Sequence, residues 1–150
     1  MIRLTIKEAI KFTGVIEEPC TLYMVRDGET VFYIGKSGSP INRILQHMGL
    51  ADHFAATSPI GRCILANAPE SDEWLFEMYT VDDCAPFFVG SAIKLPPANV
   101  RHPEFVDIAE MQMIKYWRPC LNIICNRDAS PIPAKYRDWQ NCGSSTYLDI

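Results

Sequence analysis

Two strand-forming runs, Thr21-Leu22-Tyr23-Met24-Val25 and Thr30-Val31-Phe32-Tyr33-Ile34, constrain this chain most. β-Branched and aromatic residues suit extended backbone. The linker Arg26-Asp27-Gly28-Glu29 holds an Asp-Gly pair, a strong signal for a hairpin turn. A lone hairpin is marginal in water and needs a third strand or a helical layer against it. The rest of the sequence offers both. Ser39-Pro40 reads as an N-cap followed by a first-turn proline. Ile41, Ile44, Leu45 and Met48 recur behind it at helical spacing and Gly49 is a stop, which predicts a helix over 40–49. Ser58-Pro59 repeats the opening, with Ile60, Cys63 and Ile64 following, and predicts a helix over 59–67 that ends at Ala68-Pro69. Residues 74–81 read as a third, largely buried strand.

Residues 82–102 are rich in proline and small side chains and read mostly as a loop. Residues 103–117 form a long helical pattern closed by Arg118-Pro119. At the other end, Thr5-Ile6-Lys7-Glu8 has the capping-box spacing of a short N-terminal helix, with Gly14 as its stop. Residues 125–150 read as an irregular tail, with one helical turn near 134–137. The expected fold is α+β: one domain over 1–150, with a three-stranded antiparallel sheet flanked by helices. A chain of 150 residues buries enough core to need no staples. The six cysteines, at 20, 63, 84, 120, 125 and 142, have no C-x-x-C spacing and read as reduced, mostly buried thiols. No apolar run approaches membrane-spanning length, and residues 1–8 lack the apolar core of a signal peptide, so a cytoplasmic protein without a membrane partner is expected. The net charge of −4 argues against a non-specific nucleic-acid coat protein, although the acid is concentrated between Glu70 and Asp83 and leaves room for a locally positive face.

Three features suggest chemistry. The first is Tyr33-Ile34-Gly35-Lys36-Ser37-Gly38-Ser39, where a strand runs through glycines into a helix start and backbone N–H groups suit an anion. The second is the pair Arg43 and His47, four apart and so on one helix face, flanking the apolar stripe. The third is Glu110, which falls inside the arc of Phe105, Val106, Ala109, Met113, Ile114 and Trp117 on a helical wheel. A carboxylate there needs a partner, either an arginine such as Arg43 in a structural ion pair or a metal ion. His53 and His102 carry no supporting pattern and read as surface residues.

In this order the residues resemble the GIY-YIG nucleases. Thr21-Leu22-Tyr23 is similar to the first signature half, with Thr and Leu in place of Gly and Ile, and Tyr33-Ile34-Gly35-Lys36-Ser37 to the second. Arg43 stands at the family's arginine distance, and His47 matches a histidine that some members carry. Glu110 resembles the metal-binding glutamate, and Pro119-Cys120-Leu121-Asn122 the closing Pro-x-Leu-Asn segment. The resemblance spans about residues 19–124, with 82–102 as an insertion. It implies a metal-dependent endonuclease acting on nucleic acid, DNA above all, with Mg2+ (or Mn2+) on Glu110. It also implies that Arg43 neutralises the phosphate. Tyr23 would act on the water as base or positioning group, helped by His47 or Lys36. Tyr33 and Asn122 would position phosphate and water, and Gly35, Lys36 and Ser37 would contact phosphate. The alternative is a non-catalytic module on this scaffold that binds nucleic acid or protein.

Overall fold

A computed structural model describes residues 1–51 and 58–137. The predicted hairpin forms: β2 (Leu22–Asp27) pairs antiparallel with β3 (Thr30–Lys36) across a tight turn at 28–29. The predicted third strand is β4 (Leu75–Tyr79), which pairs antiparallel with β2. The sheet has four strands, not three. Residues Ile2–Thr5 form β1 on the far edge of β4, giving the order β1-β4-β2-β3, antiparallel throughout. The capping box is present: Thr5 Oγ1 accepts from the Glu8 N–H (3.1 Å) and opens the short helix α1 (Ile6–Ile10).

Three longer helices follow. They are α2 (Pro40–His47), α3 (Pro59–Ala66) and α4 (Phe105–Trp117). Ser58 caps α3 as expected, accepting from the Gly61 N–H, whereas the Ser39 side chain makes no cap bond to α2. Helix α4 begins two residues later than expected and ends in Arg118, which adopts a left-handed conformation just before Pro119. Residues 82–102 are more than loop. Two short 3-10 turns (Asp82–Phe88 and Ala98–Val100) punctuate them, and Cys84 and Phe88 enter the core.

Strand β2 alternates across the sheet, as a doubly covered strand must. Tyr23 and Val25 face a core built with Ile6, Ile44, Ile60 and Ile64 from α1, α2 and α3. Leu22 and Met24 face the other core, with Phe105, Ala109, Met113 and Ile114 of α4. In β3 the alternation breaks. The register skips between Val25 and Arg26, so Val25 opposes Tyr33 while Arg26 opposes Val31, and Phe32 bulges. Phe32 and Tyr33 therefore pack on the same side, with Tyr23, while Val31 and Ile34 both pack toward α4. Bulges re-aim side chains in this way. The outer edge of β3 is covered by residues 120–122: Cys120 N–H donates to Val31 O (3.0 Å) and Leu121 N–H to Phe32 O (2.9 Å). Beyond them the tail returns over the α1–α3 side, where Tyr136 donates to Asp27 (2.7 Å) and Arg137 pairs with Glu70.

Candidate active site

Where β2 and β3 run toward α2, three side chains from three elements form a chain of hydrogen bonds. Tyr23 of β2 points across the sheet at Gly35, its register partner on β3. Only glycine allows this, because a Cβ at position 35 would sit on the Tyr23 hydroxyl. The Tyr23 hydroxyl meets His47 Nε2 at 2.8 Å. On the far side of the ring, Nδ1 meets Ser58 Oγ at 2.6 Å. Ser58 also donates its backbone N–H to the His47 carbonyl (3.0 Å). Helix α3 comes this close to the end of α2 because Gly61 lies against that carbonyl, where a Cβ would collide. His47 is thus fixed at both ring nitrogens and at its carbonyl. Ser58 is readable from sequence as a helix cap, but its partnership with His47 depends on α3 packing against α2, which spacing does not reveal.

Tyr33 completes the cluster. Paired with Val25 in regular register, it shares the Tyr23 face, its ring 6.1 Å from that of Tyr23 and edge-on to His47 at 5.4 Å. Burial, together with the neighbouring phenol and the Glu110 carboxylate, holds the Tyr23 hydroxyl far above the ordinary tyrosine range. Tyr33 is raised by burial and by Glu110. Arg43, exposed on α2, acts in the opposite sense on both tyrosines. Burial first, and the Arg43 charge second, push His47 down to about 4, so its imidazole is neutral at physiological pH. Arg43 and Glu110 thus both act on the two tyrosines, while His47 responds to Arg43 and Glu110 to Lys36.

Glu110 forms no ion pair with Arg43 among the described residues; the cation that acts on it is Lys36. Burial raises the Glu110 carboxyl, and Lys36 offsets part of that shift. Lys36 itself bonds Asp107, one helical turn before Glu110 on the same side of α4. The sequence pattern does not single out Asp107, because an exposed acid in the first turn of a helix is ordinary there.

Two of the expected phosphate-binding groups are already engaged within the fold. Asn122 accepts the Ile34 N–H (2.9 Å) and donates to the Ile34 carbonyl (2.8 Å), clamping the free edge of β3. Asn122 thus holds the strand that carries Tyr33 and Gly35, and its amide does not reach for a phosphate. Ser37 N–H donates to Thr21 O (2.9 Å), and Ser37 Oγ accepts from Ser39 N–H (3.0 Å), so these groups order the β3–α2 turn. His102 is exposed as expected, while His53 lies outside the described residues. Cys20, Cys63 and Cys84 are buried thiols, Cys120 is half-buried and Cys125 exposed; Cys142 lies outside the described residues.

Among the described residues no three metal-ligating side chains gather at one point. Such a donor set does not fit zinc, which takes three or four protein ligands. Glu110 is an oxygen donor of the kind Mg2+ or Mn2+ takes, and the nearby Asp107 is bonded to Lys36. Among the described residues no helix is long and apolar enough to cross a membrane. No protein family, curated protein or solved structure matches this chain.

Proposed function

We propose that this chain is a metal-dependent endonuclease of the GIY-YIG type that hydrolyses phosphodiester bonds in DNA. The observation that carries the reading is the Tyr23–His47–Ser58 chain, set beside an exposed arginine and a half-buried carboxylate.

The chemistry follows from the proton affinities. The Tyr23 phenol is raised and His47 is lowered, so a resting tyrosinate–imidazolium pair is strongly disfavoured. Tyr23 therefore works as a relay. The Tyr23 oxygen is buried in the resting structure, so the attacking water must first reach it; the oxygen then accepts a proton from that water as its own O–H passes to His47 Nε2. The tautomer this requires carries its hydrogen on Nδ1, donated to Ser58 Oγ, and leaves Nε2 free to accept. The negative charge of a bound phosphodiester raises the proton affinity of His47 at that moment. Arg43 presents an always-charged, forked donor to the phosphate oxygens. Glu110 is the residue that would hold Mg2+, whose contribution is to polarise the phosphate and stabilise the leaving oxygen. Tyr33 packs against His47 and Tyr23 and keeps both in place.

The test is cleavage of plasmid and branched DNA by the purified protein and by Tyr23→Phe and Arg43→Ala. Phenylalanine keeps the ring and removes the relay atom. Arg43→Ala should slow cleavage by about a hundred- to a thousand-fold, the usual cost of losing one preorganised charge stabiliser. DNA binding without divalent-dependent cleavage by the wild type would instead favour the non-catalytic module.

A further inference from the structure

Helix α4 carries Glu110 toward the cluster, and its next two turns border a groove of about 750 Å3 that the catalytic reading does not use. Met111, Lys115 and Arg118 line one wall, and Ile123, Asn126 and Arg127 the other. Residues 107, 111 and 115 share one stripe of the helix and Arg118 follows at its left-handed end, so the groove continues from the Asp107–Lys36 pair beside Glu110. Its charge is unusual for this chain. Lys115, Arg118 and Arg127 face the single carboxylate of Asp128, in a protein of net charge −4. Among the described residues none of the three forms an ion pair, and the one side-chain hydrogen bond of Arg118 runs from Nε to the Asp128 carbonyl (2.7 Å).

The second wall is built to stay open. Asn126 donates to the carbonyls of Pro119 (2.7 Å) and Asn122 (2.9 Å), closing a tight loop anchored on β3 by Asn122. Two aliphatic side chains at its tip, Ile123 and Ile124, are 88% and 81% exposed. A hydrogen-bonded loop holds these apolar groups in solvent beside unpaired cations. That combination fits a polyanion with apolar edges: a nucleic-acid strand, whose phosphates meet the cations and whose sugars and bases lie against Ile123.

We propose that this groove binds the DNA strand leaving the cleavage site, with Lys115, Arg118 and Arg127 on successive phosphates. The proposal rests on the nuclease reading. From Glu110 to Arg118 the helix rises about 12 Å, at about 1.5 Å per residue. That is room for about three nucleotides at about 3.4 Å each.

The experiment uses the double variant Lys115→Gln/Arg127→Gln, two exposed residues outside the catalytic cluster. Lys94→Gln, an exposed lysine elsewhere, is the control. Binding of a labelled duplex of about 20 base pairs, long enough to span several phosphates on either side of the cut, is measured in chelator across a range of salt, alongside plasmid cleavage with Mg2+. The double variant should flatten the slope of log K against log salt by about 1.8, at about 0.9 for each phosphate that is no longer neutralised. The control slope should stay at the wild-type value. An unchanged slope in the double variant, with a wild type that binds and cuts, overturns the groove proposal alone. A wild type that neither binds nor cuts overturns the nuclease reading and the groove with it. Loss of self-association in the double variant with no change in DNA affinity would instead assign the groove to a second copy of this chain.

Discussion

Glu77 and Glu110 are both carboxylates drawn out of water, and the fold treats them in opposite ways. Glu77 is fully buried in β4, yet burial is outweighed by hydrogen bonds from Arg26 (3.1 Å), Arg3 (2.6 Å) and Tyr79 (2.9 Å), so its carboxyl lies below the ordinary range. Glu110 has no such donors, and burial raises it. Glu77→Ala should destabilise the protein by about 1–3 kcal/mol, because Tyr79 and the partly buried Arg26 would lose their partner while Arg3 can turn to water. Glu110→Gln should leave stability unchanged or slightly higher in metal-free buffer; urea denaturation of the two variants measures the contrast. The pH dependence follows from the same signs. Glu77 stabilises the fold above the ordinary carboxylate range, and that contribution is lost as pH falls through its depressed value. His47, lowered from 6.5 to about 4, adds a loss between those values, because the unfolded chain takes up the proton first. His47→Gln should remove that component, so its unfolding free energy should vary less between pH 6.5 and about 4 than that of the wild type.

Among the strands and helices, two close glycine approaches, Gly35 at Tyr23 and Gly61 at the His47 carbonyl, hold the cluster together. Gly35→Ala should keep the hairpin but displace Tyr23 from His47. We expect a stability loss of about 1–3 kcal/mol, typical of overpacking, and a far larger fall in cleavage. Thermal melting and plasmid nicking of the same preparation separate the two effects. The hairpin, α2, α3, α4 and the Thr5 cap are all legible in sequence, because turn chemistry, Ser-Pro starts and helical spacing are local signals. The strand β1 is not, since Ile2-Arg3-Leu4-Thr5 has only two apolar residues and gains its meaning by pairing with β4. The bulge is invisible for a related reason: strict alternation from Tyr33 puts Phe32 on the α4 side, and only the skipped register between β2 and β3 turns it toward the Tyr23 side. Asn122 stands out in the sequence, but its use as an edge clamp depends on where residues 120–122 lie along β3.

Across the whole fold, the sheet separates two jobs. The α1–α3 side carries Tyr23, Tyr33 and His47, which the nuclease reading uses as a relay, and the α4 side carries Glu110 and the groove proposed for DNA. They meet at the outer strand β3, whose Lys36 reaches Asp107 on α4 while its Tyr33 packs on His47. This division requires that Glu110 serve cleavage and not the fold. Wild type and Glu110→Gln, once shown to melt alike, should therefore be compared on supercoiled plasmid with Mg2+ and with chelator. The wild type should cut only when Mg2+ is present, and Glu110→Gln should be slower by about a hundredfold or more. Cleavage by the folded variant at the wild-type rate, or cleavage by the wild type that persists in chelator, would show that Glu110 holds no catalytic metal.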